Sequence, residues 1–295
     1  MNWKSDIIYK DRGFVTMIYK DKTYDEERAL YGIEDSEVRG CLFDGPADGE
    51  SALKECRNIT VSDSEFRLRY PFWHVVDGVI KNCKLTDTCR AALWYDKNIS
   101  LEDSSLGGIK ALRECDNVSM KNCEAVSEEF GWRCTGLKIN NCYVESMYPF
   151  FECKNAEFNK LSLKGKYSFQ YIENAVLRNC ELRTKDAFWH CKNVTVEDSL
   201  VQGEYLAWYS ENLKLVRCKI IGTQPLCYCK GLVLEDCEMI DADFAFENSE
   251  VEATVNSHII SVKNPIKGFI KAKDIGEVIL DTKREPKTEC VITVE

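Results

Sequence analysis

The sequence predicts an all-β fold, a single-stranded right-handed parallel β-helix with rungs of 19 residues. Three observations predict it. Cysteines recur at a fixed step of 19, as in Cys115, Cys134, Cys153, Cys191 and Cys229, and in Cys123, Cys142, Cys180, Cys218 and Cys237. Apolar residues follow each cysteine two apart, as in Val118/Met120, Leu137/Ile139 and Val194/Val196. Asn, Asp or Gly holds the corner positions between these runs, as at Asn98, Asn117, Gly136 and Asn193, and at Asp103, Asn122 and Asn141. A period this regular means one small unit stacked many times.

Each element of the rung has its own reason. Apolar residues two apart in short runs are strands with one buried face. Asn and Gly tolerate the left-handed backbone region, so a tight bend is expected where they recur. A helical solenoid would need a ~3.6-residue period, and none is present. The leucine-rich signature is missing, and no six-residue sub-period marks a left-handed coil. Two residues are added near Asp87–Arg90, where the step becomes 21. Open strand edges at the ends of such a coil need caps. One domain is expected over 1–295: a cap over 1–27, repeat rungs over 28–257, and looser rungs with a second cap over 258–295. The repeat decays after Glu247, where Asn248 and Asn256 stand in place of Cys.

Twelve of the sixteen cysteines fall in the two columns, which begin with Cys56 and Cys83; Cys41 extends the second. There they alternate with Ser, Val, Ile and Leu, the pattern of a small buried residue. Free stacked thiols fit a reducing compartment. The opening MNWKSDIIYKDRGF lacks the apolar core of a leader peptide, so a cytoplasmic location is expected. Net charge is -10 and the pI about 5.1, which argues against a nucleic-acid partner. No apolar run approaches the ~20 residues of a membrane span. Cys227 and Cys229 form a lone C-x-C without a second ligand pair, so no metal and no cofactor is expected.

Five of the six tryptophans stand two residues before the first cysteine column: Trp73, Trp94, Trp132, Trp189 and Trp208, with Phe151 among them. Lys54, Arg113 and Gln170 share that position, so it faces outward. The next position carries His74, Tyr95, Glu114, Arg133, Glu152, Tyr171, His190 and Tyr209. An exposed aromatic strip of this kind normally marks binding. Flat indole faces rising ~4.8 Å per rung suit an oligosaccharide, whose unit length is similar. Tyr and Trp are also enriched at protein interfaces, so a protein partner fits as well. The same aromatics can simply stabilise the coil or lie under loops. Catalysis has one candidate constellation, Glu114, Arg133 and Glu152. The two carboxylates are ~9.6 Å apart by rung spacing, against the roughly 5–9.5 Å that glycoside hydrolysis uses. A carbohydrate-active lyase or isomerase could use the same residues, a plain surface salt-bridge column is the simpler reading of them, and the sequence leaves enzymatic activity and oligomeric state open.

The segments EERALYGIEDSEV (26–38), YPFWH (70–74), AALWYDKNI (91–99), DAFWHCKNVTVEDS (186–199), LCYCKGLVLEDC (226–237) and SVKNPIKGFIKAKDIGEVILD (261–281) resemble a family of bacterial proteins of unknown function. That family is assigned to the pectin-lyase-like right-handed β-helix class. The resemblance spans nearly the whole chain and implies the fold and a bacterial origin. It implies no catalytic residues. The Asp/Arg motifs of pectate lyases and polygalacturonases, which share the wider class, are not recognisable here.

Overall fold

The computed structural model describes residues 6–10, 14–46, 50–281, 283 and 287–294. Parts of the expected caps and repeat (1–5, 11–13, 47–49, 282, 284–286 and 295) lie outside the described residues. The chain divides into two compact units, Met1–Glu145 and Ser146–Glu295. Each is a stack of right-handed parallel β-helix rungs.

In the first unit, long strands Glu34–Arg39, Arg57–Ser62, Val76–Lys81, Lys97–Glu102 and Asp116–Lys121 pair in parallel. Short strands Leu42–Phe43, Glu65–Phe66, Lys84–Leu85, Ser105–Gly107 and Glu124–Val126 form a second parallel row. A third row is made of two- and three-residue strands, Phe72–Trp73, Leu93–Trp94, Leu112–Arg113 and Phe130–Trp132. Phe14–Lys20 already pairs in parallel with Glu34–Arg39, and Asp6–Lys10 returns antiparallel against it. The added residues at the 21-residue step form a short 3-10 turn, Asp87–Cys89.

In the second unit, Glu173–Arg178, Lys192–Glu197 and Glu211–Val216 pair in parallel, with Val194 opposite Leu213 and Val196 opposite Leu215. The last rungs merge long and short strands into Glu250–Lys263 and Lys267–Ile279, followed by Glu289–Val294.

Three recurrent bends of the rung carry positive φ, and the second unit adds further positive-φ residues such as Tyr167, Phe169, Asp186 and Phe188. Two of the recurrent bends fall where Asn, Asp and Gly recur, for example Asn117 (55°) and Asn122 (53°). The corner amides bond from rung to rung: Asn117 Nδ2 donates to Asn98 Oδ1 at 2.8 Å, and Asn212 to Asn193 at 3.0 Å. The third bend lies just before the first cysteine column, at His74, Tyr95, Glu114, Tyr171, His190 and Tyr209. This is what turns those side chains out of the core.

The interior is a stack of aliphatic and phenyl side chains. Phe43 and Phe66 stack at 4.5 Å in the first unit, and Phe150, Phe169 and Phe188 stack at 5.2 and 4.9 Å in the second. These phenylalanines are buried.

The cysteine columns do more than fill space. The thiols are free, and all but Cys290 are buried. In column after column, the backbone N–H of one rung donates to the side chain of the next. Cys83 N donates to Ser104 Oγ (3.0 Å), Cys123 N to Cys142 Sγ (3.4 Å), Cys180 N to Ser199 Oγ (2.9 Å) and Cys115 N to Cys134 Sγ (3.5 Å). The accepting side chain then donates to the carbonyl two residues before it, as Ser199 Oγ does to Glu197 O (2.6 Å) and Cys142 Sγ to Asn140 O (3.3 Å). The relay thus uses small side chains with a donor and an acceptor, which Cys and Ser supply, and it is interrupted where Val75, Leu161 and Ile172 stand in the columns. Reading cysteine as a small hydrophobe accounts for its burial and misses this relay. The relay also continues past Cys229: its N–H donates to Ser249 Oγ at 2.9 Å, so Ser249, and not Asn248, occupies the column.

The relay makes a direct prediction. Ser199→Ala leaves the buried Cys180 N–H without an acceptor and costs about 1–3 kcal/mol. Ser199→Cys keeps the relay and costs clearly less. Urea unfolding of the two variants checks this, and equal losses would remove the relay.

Candidate functional site

The two positions before the first cysteine column play different parts. The residue three before the column points inward: Leu53, Phe72, Leu93, Leu112, Phe150, Phe169 and Phe188 are buried. Trp73, Trp94, Trp132, Trp189 and Trp208 are half-buried, and Tyr95, Tyr171 and Tyr209 are exposed by 40%, 45% and 44%. The tryptophans therefore form a wall, and the residues after them form the outer face.

In the second unit the wall is internally satisfied, whereas the Trp73 Nε1–H of the first is buried without a partner. Trp189 Nε1 donates to Tyr205 O at 2.6 Å and Trp208 Nε1 to Gln224 O at 2.8 Å, each acceptor lying in the turn of the following rung. Gln170, at the equivalent position, donates to Asp186 O at 3.1 Å. Trp189 and Trp208 stack at 5.5 Å with planes 4° apart, and Trp73 and Trp94 at 5.3 Å and 9°. Lys54 Nζ sits 4.2 Å from the Trp73 ring centre, and the Arg113 guanidinium 5.6 Å from that of Trp94. The ring faces of this pair are thus covered by each other and by cations. Flat indole faces offered to sugar rings, expected from the sequence, do not occur here. Trp132 is half-buried, at the end of Phe130–Trp132.

The outer face is a second aromatic ladder. In the first unit His74 and Tyr95 stack at 5.2 Å. In the second, Tyr171, His190, Tyr209 and Tyr228 stack at 4.9, 5.1 and 4.8 Å, all within 15° of parallel. Phe151 closes against Tyr171 edge-on at 5.6 Å. Stacked rings cover one another's faces and leave their edges to solvent. Among the described residues, neither the Tyr171 and Tyr209 hydroxyls nor the His190 ring nitrogens make a hydrogen bond. The second unit therefore presents a row of unpartnered phenol and imidazole edges, one per rung.

The candidate catalytic group behaves otherwise. Glu114 Oε2 accepts from Trp94 Nε1 at 2.8 Å, while Arg113 and Arg133 approach Oε1 at 3.4 and 3.7 Å. Burial pushes the Glu114 pKa up, but hydrogen bonds from Trp94 and Tyr95 and the Arg113 charge outweigh it, so it lies below the usual carboxylate value. The hydrogen bond to Glu114 in turn raises the Tyr95 pKa. A glycosidase acid needs the opposite shift. Glu114 and Arg133 meet in the first unit; Glu152 is half-buried in the second, its N–H donating to Gln170 O at 3.0 Å.

One charged residue escaped the sequence reading. Asp96 occupies the first cysteine column and is completely buried. Its Oδ1 accepts from Val75 N at 2.7 Å, its own N–H donates to Cys115 Sγ at 3.4 Å, and Oδ2 has no partner. Burial drives its pKa far up, against the lowering effect of hydrogen bonds from the Val75 and Trp94 backbone. Burial therefore favours the uncharged form of Asp96 in the relay. No group of three or more His, Cys, Asp or Glu among the described residues is arranged to hold a metal ion.

The profile of one protein family, described as "Protein of unknown function (DUF3737)", matches residues 17–293. A search of curated proteins returned no match. Among solved structures, the chain is similar to PfbA, a surface adhesin of Streptococcus pneumoniae, at 11% identity over 85% of this chain and 72% of that one, with a TM-score of 0.36. It is also similar to the A-module of the Azotobacter vinelandii mannuronan C-5 epimerase AlgE6, at 10% identity over 94% and 89%, with a TM-score of 0.37. The tailspike protein of E. coli bacteriophage HK620, in a double-mutant form, matches at 8% identity over 88% and 60%, with a TM-score of 0.32. None of these carries a residue role over to this chain.

Proposed function

Because the chain belongs to the DUF3737 family, its function has to be argued from its own geometry, and we propose that it is a non-catalytic carbohydrate-binding β-helix. The ligand lies along the Tyr171–His190–Tyr209 edge of the second unit. One observation carries this reading. Three polar ring edges, spaced 4.9 and 5.1 Å apart, have no protein partner among the described residues. The repeat of a linear glycan is close to this spacing, so successive sugar hydroxyls meet successive ring edges. Recognition is by hydrogen bonding to Tyr hydroxyls and imidazole nitrogens, not by stacking on ring faces, which the ladder covers. Trp189 and Trp208 hold the ladder from behind, since their N–H groups are already used.

A glycan array with the wild type and Tyr209→Phe tests this. The phenylalanine keeps the stack and removes one hydroxyl, so stability is unchanged and affinity for the bound glycan falls several-fold, the worth of about 1 kcal/mol. An array on which no bound glycan is weakened by Tyr209→Phe, or on which no glycan binds at all, would sink the proposal.

A further inference from the structure

A second, chemically distinct groove runs along the first unit. It shares no residue with the aromatic ladder. It is an open, shallow depression of about 900 Å³ that follows the bend between the long and short strands. One wall is the corner row, including Asn82, Asn122 and Asn141. The facing wall is the row in which Lys84, Ser105 and Glu124 stand in register on successive rungs. From the Glu65 rung to the Tyr143 rung this wall is four steps long, roughly 19 Å at ~4.8 Å per rung.

The chemistry of the walls narrows the ligand. Asn122 Nδ2 donates to Asp103 at 3.0 Å, and Asn141 Nδ2 donates to Asn122 at 2.8 Å. Each amide spends one N–H on its neighbour and has a second one to give. Lys84, Ser105 and Glu124 stand in the facing row one step around the bend, so the groove offers both donors and acceptors along its length. Acidic side chains outnumber basic ones in the lining. The two cations are already paired, Lys84 with Glu65 at 3.3 Å and Arg67 with Glu65 and Asp44 at 2.9 and 2.8 Å. A polyanion is therefore disfavoured, and an uncharged, hydroxyl-rich chain fits.

The corresponding bend of the second unit is built differently. There Arg217 forms a two-pronged ion pair with Asp198, at 2.6 and 2.8 Å, one rung apart. In the first unit the same relation, also 19 residues, joins Asn122 to Asp103. The first unit keeps short side chains where the second places a long one. We infer that this groove is a binding site for an uncharged oligosaccharide lying along the rungs of the first unit.

Asn122→Arg tests the inference. It copies the Arg217–Asp198 arrangement at a bend with matching backbone, φ 53° at Asn122 and 49° at Arg217, and so fills the groove within a geometry the chain already uses. Cello-, manno- and xylohexaose, with hexagalacturonate as the charged control, are titrated calorimetrically against the wild type, Asn122→Arg, Glu124→Ala and Tyr209→Phe. The expected result is a neutral hexaose whose affinity drops about tenfold or more in Asn122→Arg, falls in Glu124→Ala, and is unchanged in Tyr209→Phe. If Asn122→Arg melts below the wild type, Glu124→Ala alone decides. No neutral hexaose that survives Tyr209→Phe, or full affinity in the groove variants, overturns the inference; loss in Tyr209→Phe alone returns all binding to the ladder.

Discussion

Phe169→Ala lowers the stability of the protein by about 3–5 kcal/mol, the cost of a buried phenyl lost from a tight interior. The ring lies between Phe150 and Phe188, stacked on both, with Phe158 edge-on at 5.4 Å. Removing it leaves three aromatic neighbours facing a cavity in the middle of a stack. Each rung of a solenoid is stabilised chiefly by the rungs on either side, so the loss is felt beyond its own rung. Urea unfolding gives the number. A cost near that of a surface substitution would mean that the phenylalanine stack is not what holds these rungs together.

Asp96→Asn acts in the opposite direction and depends on pH. The folded-state pKa of Asp96 is raised by burial, while the unfolded chain titrates near the ordinary ~3.9. The contribution of the acid is therefore fully present below the unfolded pKa. It is lost as pH rises toward the folded pKa, at about 1.4 kcal/mol per pH unit. The titratable groups that interact with it are the thiols of Cys56, Cys115 and Cys134, each supplied by the same column. Thiols stay neutral over the acid range, so they add no slope there. Asn keeps an oxygen for the Val75 N–H and has no proton to lose. The difference in unfolding free energy between Asp96→Asn and the wild type should therefore grow in favour of the variant as pH goes from about 4 to 7. Comparing the two at each pH cancels the titration of every other carboxylate. A difference independent of pH would mean that Asp96 is not a protonated member of the relay.

The rung, its three strands and its polar corners were legible because each depends on neighbours at fixed sequence distance. Val194 faces Leu213 because the step of 19 puts it there. Lys54, Arg113 and Gln170 mark the tryptophan position as outside the core, and in the structure it is a half-buried wall behind the exposed tyrosines. What could not be read are interactions whose partner is chosen by geometry between rungs. The Trp189 N–H is consumed by a backbone carbonyl at Tyr205, and the Trp73 and Trp94 faces by Lys54 and Arg113. Neither fact leaves a mark on composition or spacing. The step of 21 at the turn Asp87–Cys89 already places Asp96 in the first column, but its complete burial and its hydrogen bonds leave no mark on the sequence. The alternation of Cys with Ser did carry the relay, but the same alternation fits simple smallness, and only the hydrogen bonds decide between them.

The candidate site narrowed in the same way. The sequence offered a strip from Trp73 to Tyr209. In the first unit the tips of Trp94 and Tyr95 are tied up by Glu114, which is itself held by two arginines. The second-unit end keeps its ring edges unengaged among the described residues. The distinction rests on whether each polar tip already has a partner, a property of the folded chain alone.

A crystal structure of the wild type with the oligosaccharide that binds it, and that is weakened by Tyr209→Phe, tests the central claim most directly. The account predicts sugar density along the second unit, with hydroxyls within hydrogen-bond distance of Tyr171, His190 and Tyr209 and no sugar ring stacked on Trp189 or Trp208. Density elsewhere, with the ladder edges in contact only with water, would contradict it.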